Sequence, residues 1–187
     1  MNKLFERIKD IYLSPATFWD ETKSEQKSET DLIKSFFIYI AAVPMVAGFL
    51  GMLFMGENLF RALVWAVLFL GCALAGVFLF SKVVLFLGRS FGAGNKNLDF
   101  VTLAVYSFTP ILLAGVFFII PPIYWLTIVG LYGVYFFWVG FQKIVVCNKE
   151  EKFNFSFISL IVFIILTMLI YLLPALFSGA AVYYYII

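Results

Sequence analysis

The sequence predicts an all-α integral membrane protein: a five-helix transmembrane bundle with an N-terminal amphipathic interfacial helix. Three observations predict it. Hydrophobic residues make up 64% of the chain and charged residues only 13%, with a mean hydropathy of +1.02. A soluble domain carries roughly 45–50% apolar and about 25% charged residues, so this chain must use lipid as a solvent. Five apolar stretches, at 33–55, 60–87, 99–120, 123–146 and 157–177, are each long enough to cross a bilayer as a helix, which needs ~20 residues. Unbroken apolar runs fit helices, which satisfy their own backbone groups in lipid, and not the short alternating strands of a membrane barrel. Finally, 12 of the 13 Lys and Arg side chains fall in the N-terminal segment and the second and fourth connections or in the stretch ends that adjoin them, and only Arg61 falls on the other side. Positive charge marks the cytoplasmic face, so the expected topology is N-terminus cytoplasmic and C-terminus external.

Residues 1–31 form the expected cytoplasmic segment, and 32–187 the transmembrane domain. Leu4, Phe5, Ile8, Ile11 and Tyr12 repeat at helical spacing, with Lys3, Glu6, Arg7, Lys9 and Asp10 on the other face. This pattern suits a basic amphipathic helix in the headgroup region, or equally a brace packed beneath the bundle. Ser14-Pro15 reads as an N-cap followed by Pro at the first position of a second short helix carrying Phe18 and Trp19. No apolar core of a secretory signal precedes the first stretch, which is therefore expected to act as an uncleaved anchor.

Within the stretches, Pro44 and Pro110 each remove a backbone hydrogen bond near mid-helix, and Tyr106, Ser107 and Thr109 surround the second break. These five residues are the candidates for a cavity or a packed kink. Gly71 and Ala75, with Gly76 beside them, and Gly133 with Gly140, are candidates for close helix approach, within the bundle or between copies. Pro121-Pro122 forces a tight turn, and Pro174 should break or kink the fifth helix near its outer end. Beyond it, Tyr183, Tyr184 and Tyr185 suit an interfacial aromatic belt, as do Tyr124 and Trp125.

The chemistry these residues exclude is informative. There is no His, and none of the five helix middles holds an Asp, Glu, Lys or Arg, so proton pumping and intramembrane acid–base catalysis lack their usual groups. Lys82 and Lys143 lie near helix ends, where they can snorkel to the headgroups, and Asp99 suits the positive start of the third helix. Cys72 and Cys147 fall at different membrane depths and are expected to be free thiols. The Gly-rich loop 88–97 lacks the Gly-Lys-Ser/Thr ending and the preceding strand of a phosphate cradle, leaving Arg89 and Lys96 as contacts for anionic headgroups.

The order of features resembles the Yip family of membrane proteins, named for interaction with Ypt/Rab GTPases, and especially its small bacterial members. The residues that carry the resemblance are Ser14, Pro15 and Phe18, the loop glycines Gly88, Gly92 and Gly94, and Tyr106-Ser107-Phe108-Thr109-Pro110. The resemblance covers essentially the whole chain and implies a five-helix bundle with a cytoplasmic N-terminus. Its eukaryotic members imply vesicle trafficking and GTPase binding. Their Asp-Leu-Tyr-Gly-Pro motif is echoed here, with one residue inserted, in Asp10-Ile11-Tyr12-Leu13-Ser14-Pro15. For the small members no definite biochemical activity follows.

The functional expectation is a non-enzymatic membrane protein that organises membrane or binds a membrane or cytoplasmic partner through its cytoplasmic face. Catalytic, cofactor and metal sites are expected to be absent. Candidate lipid or partner contacts are Arg7, Tyr12, Pro15, Trp19, Arg89 and Lys96. The expected partners are membrane lipids, another protein or a second copy of the chain, not nucleic acid, at a bacterial inner membrane. The alternative is a small transporter or channel with a path beside the Pro-broken first and third helices.

Overall fold

A computed structural model describes residues 2–24 and 28–178. Two short helices, α1 (Asn2–Leu13) and α2 (Pro15–Ser24), precede five helical spans at Glu29–Phe54, Leu59–Ser90, Asn97–Ile119, Pro122–Ile144 and Lys149–Ser178. Tyr183, Tyr184 and Tyr185 lie outside the described residues.

The five apolar stretches all become spans, with informative differences at the ends. The fifth span starts at Lys149 rather than at 157, because its polar first turns continue the helix beyond the apolar run. Glu150 and Glu151 there complement the positive helix end. The same helix runs through Pro174 to Ser178 instead of ending there. Three spans change helix type along their length. The first, after an α-helical turn at Glu29–Leu32, has a π-helical turn, Ile33–Phe37, that places both Phe36 and Phe37 in the core. The fourth is a 3-10 helix over Pro121–Leu131 before it becomes α-helical at Tyr132. The third also tightens to 3-10 geometry at Gly115–Ile119, and Ile120 takes the extended backbone that a following Pro demands.

The third span is the axis of the bundle. Every residue from Leu103 to Pro110 is buried, all the way round the helix. Aromatic rings fill the space about it. Phe108 lies 4.5 Å from Phe163, centroid to centroid, Phe163 stacks on Phe137 at 4.9 Å, and Phe80 meets Phe108, Phe137 and Phe163 edge-on. Edge-to-face and offset pairs of this kind are each worth about 0.5–1.5 kcal/mol beyond their buried area.

Glycine sets how closely the spans approach. A Cβ on Gly51 of the first span would stand 2.0 Å from the Phe118 carbonyl oxygen of the third, and one on Gly115 would stand 2.4 Å from Cβ of Pro44. Pro44 is thus buried in a packed crossing. Gly76 similarly admits the Ile170 side chain of the fifth span. Gly71 and Ala75 point out of the bundle, and a Cβ on Gly71 would meet nothing within 4 Å.

These contacts predict opposite outcomes for two Gly→Ala changes. Gly51→Ala should lower the thermal stability of the detergent-solubilised protein, since the clash is with backbone; overpacking of this kind costs about 1–3 kcal/mol. Gly71→Ala should be neutral or slightly stabilising, as expected at an open helical position. A thermal melt of the two variants checks both.

Candidate functional site

The three basic segments meet at one end of the bundle, and most sequence-selected contact residues lie there. Helices α1 and α2 dock across this end. Ile11 and Trp19 are fully buried and Phe18 nearly so, beside the partly buried Leu4 and Ile8, whereas Phe5 on the neighbouring edge of α1 is 71% exposed. The amphipathic face is therefore divided: one edge braces the bundle and the other faces outward.

Tyr106 is the centre of this docking. Its ring meets Phe18 at 4.8 Å and Trp19 at 6.0 Å, both edge-on, and Phe36 at 5.1 Å. The Arg7 guanidinium donates to its hydroxyl and lies 5.8 Å from the ring centroid. One side chain of the third span thus touches α1, α2 and the π-helical turn of the first. That turn supplies the register that brings Phe36 onto Tyr106.

Trp19 is held by a feature of the fourth span. Its indole N–H donates to the Phe136 carbonyl at 3.2 Å, and its ring packs 4.8 Å from the Phe136 ring. A side chain four residues further along a helix normally lies over such a carbonyl. At that position stands Gly140, where a Cβ would come within 2.4 Å of the indole. Gly140 is thus a socket for Trp19. Trp19 faces the bundle, and its burial leaves it unavailable to lipid or to a partner in this arrangement. Tyr12 stacks on Tyr132 at 5.2 Å, and the Tyr132 hydroxyl donates to the Ile11 carbonyl at 2.9 Å. Burial, and then the neighbouring Tyr132, push the Tyr12 phenol above its ordinary range. Pro15 opens α2 as the sequence predicts.

The connecting loops are tied to one another as firmly. Asn95 donates to the Ile144 carbonyl at 3.0 Å and accepts from the Val146 N–H at 2.7 Å, while the Gly94 N–H donates to Val146. Asp99 accepts from the Lys96 N–H and from Asn95, both at 2.9 Å, closing the start of the third span. Asn97 donates to Glu29 at the start of the first span. Lys152 donates to the Gln142 and Val145 carbonyls, both at 2.8 Å, near the C-terminal end of the fourth. Lys143 forms an ion pair with Asp20 of α2 at 2.7 Å. That exposed pair adds at most about 1 kcal/mol, so it positions α2 more than it stabilises it. Burial pushes the Cys147 thiol up, with Lys152 opposing and Glu151 adding to the shift, which leaves it a poor nucleophile at neutral pH.

Between α2, the Gly-rich loop and the third span lies a polar cavity of about 320 Å³. Lys23, Asn95, Lys96, Asp99 and Thr102 line it, and Tyr106 contributes to its wall. Lys96 is exposed at its rim, and Arg89 is exposed at the end of the second span. Of the candidates beside Pro110, Tyr106 lines this cavity. Thr109 turns its hydroxyl back to the Val105 carbonyl at 2.8 Å, and Ser107 is fully buried. The Ser107 backbone carbonyl is closely approached by Gly133, which closes the third and fourth spans together there. Ser107 and Thr109, two of the hydroxyls expected beside the broken third helix, are thus enclosed by packing. The sequence reading did not single out Phe36, Phe136 or Asn95; Gly140 was visible as a small residue, but nothing marked it as the socket of Trp19.

This geometry predicts that Trp19→Ala frees α1 and α2. Removing a buried Trp costs about 3–5 kcal/mol, enough to open a locally docked element. Gly140→Leu should do the same by filling the socket from the other side. Limited trypsin digestion at Lys23 should accelerate in both variants while the membrane spans remain intact.

The chain matches the family model described as "Yip1 domain" over residues 9–186. It is 29% identical over 133 residues to "Inner membrane protein YohC" of Escherichia coli (strain K12), covering 64% of this chain and 68% of that protein. The same figures hold for the protein of that name in E. coli O6:H1 (strain CFT073 / ATCC 700928 / UPEC). No solved structure matches it. With a family match spanning nearly the whole chain, five spans and inner-membrane relatives, this is an integral, multi-spanning protein of the bacterial inner membrane, and it belongs to the Yip family.

Proposed function

We propose that the protein binds a membrane or cytoplasmic partner through its basic end, with that end in the cytoplasm, and that no solute crosses the bundle. The observation that carries this reading is the joining of three distant segments, α1–α2, the Gly-rich loop and the 145–148 connection, into one tied surface. Exposed Lys23, Arg89, Lys96 and Lys149 supply its positive charge, interleaved with exposed Asp20, Glu21, Glu150 and Glu151. Clustered basic side chains next to membrane helices favour anionic lipid headgroups or acidic protein segments. The rim of Phe5 and Tyr12 adds an apolar edge at the same end. These ties support the same reading, since a preformed surface loses less entropy on binding. The cytoplasmic position rests on the one-sided distribution of Lys and Arg.

Two measurements test it. Ser90→Cys should be labelled by an impermeant maleimide only in inverted inner-membrane vesicles, and Glu57→Cys only in spheroplasts; the opposite pattern would reverse the topology. A photo-crosslinker at Asn148 should give a defined adduct in native membranes. Charge reversal by Arg89→Glu with Lys96→Glu should abolish that adduct, whereas an unchanged adduct would refute charge-guided binding.

A further inference from the structure

At the end of the bundle opposite the basic surface, a second cavity of about 460 Å³ lies between the third, fourth and fifth spans, with the second span contributing Trp65. Its origin is legible in the packing. Gly130 and Gly133 draw the fourth span onto the third. A Cβ on Gly130 would come within 3.0 Å of Ala114 and 3.1 Å of Ile111 Cα, and one on Gly133 within 2.6 Å of the Ile111 side chain. Through Gly130 and up to Leu131 the fourth span is a narrow 3-10 helix, Pro121–Leu131, packed on the third span and its 3-10 end. Leaning one way, it separates from the fifth span, which packs chiefly along the second. A wedge remains between them.

The chemistry of the wedge selects its occupant. Its lining is almost wholly apolar, including Trp65, Ile111, Phe163, Ile164 and Met168. Two of its hydroxyl-bearing side chains are turned to backbone: Thr167 donates to the Phe163 carbonyl at 2.8 Å, and Tyr171 to the Ile111 carbonyl at 3.0 Å. The Ile111 carbonyl sits just past Pro110, so Tyr171 serves the distorted end of the third helix and presents only its ring to the space. Water has few partners here, and an apolar cavity of this kind stays dry. The spans that bound the wedge lie in the bilayer, so the medium beside it is hydrocarbon. Trp125, 61% exposed, and Tyr124 stand at its outer end, the depth at which aromatic side chains meet headgroups.

We propose that this wedge binds one acyl chain of a membrane phospholipid, entering between the fourth and fifth spans with its headgroup beside Tyr124 and Trp125. Among the described residues no Lys or Arg lines the cavity, so recognition is of the chain and not of headgroup charge. The site is separate from the basic end, and its success or failure leaves the reading of that end unchanged.

The test uses Trp65, which is nearly buried yet lines the wedge. The full chain carrying Trp19→Phe, Trp125→Phe and Trp138→Phe leaves Trp65 as the sole indole. In vesicles of phosphatidylcholine with brominated acyl chains, which quench by contact, Trp65 should lose most of its emission relative to unbrominated vesicles. Thr167→Phe, which fills the wedge, should restore it, and Ile164→Phe provides the same reading should the first variant not insert. Brominated phosphatidylglycerol should quench equally. Trp65 emission indifferent to bromine, or equal quenching in the filled variants, would overturn the proposal. So would cross-linking of two copies through Met168→Cys with Trp65 unquenched, which would make the occupant a second protein chain.

Discussion

The structure depends on one constraint: the third span is buried on all sides from Leu103 to Pro110. A helix with no lipid-facing side must be wrapped by every other element, and each neighbour is shaped to reach it. The first span presents Phe36 through its π-helical turn, the fourth comes close through Gly130 and Gly133, and the second and fifth supply Phe80 and Phe163. Lipid gives no hydrophobic drive for helices to associate, so the bundle relies on close packing of small residues and rings. Pro110 sits buried inside this packing.

The same constraint explains the docking of the N-terminal helices. Tyr106 is near the basic end of the buried helix, where the surrounding spans leave its ring and hydroxyl uncovered from below. Helices α1 and α2 complete that shell with Phe18, Trp19 and Arg7. Gly140 gives the indole access to a backbone carbonyl that most side chains would cover. The loops then add a polar layer centred on Asn95 and Asp99. Each layer is built on the one above it, which makes the basic end a continuation of the bundle core.

The spans could be read from the sequence because unbroken apolar length is a direct consequence of bilayer thickness, and the placement of Lys and Arg gave a second, independent count. What could not be read follows from the same physics. Helix type changes, at Ile33–Phe37 and Pro121–Leu131, are imposed by neighbours and leave no local pattern in an apolar run. Amphipathic spacing in α1 was visible, but Ile11 facing the bundle and Phe5 facing outward is decided by tertiary contact. Glycines were visible as small residues; which of them accept a partner was not, and Gly71 and Gly140 differ only in what lies opposite. Pro110 with its hydroxyl neighbours suggested a cavity, yet Ser107 and Thr109 are enclosed by residues distant in sequence.

The central claim is that α1 and α2 are part of the bundle and not a helix pair afloat on the membrane surface. Its most direct measurement places cysteines at Asp20 and Lys143, whose native side chains meet at 2.7 Å, and adds a short thiol-to-thiol cross-linker to native membranes. Near-complete intramolecular cross-linking within a single chain is the predicted result. Cross-linking no greater than that of a cysteine pair at Asp20 and Asn148 would contradict it and return α2 to the membrane surface.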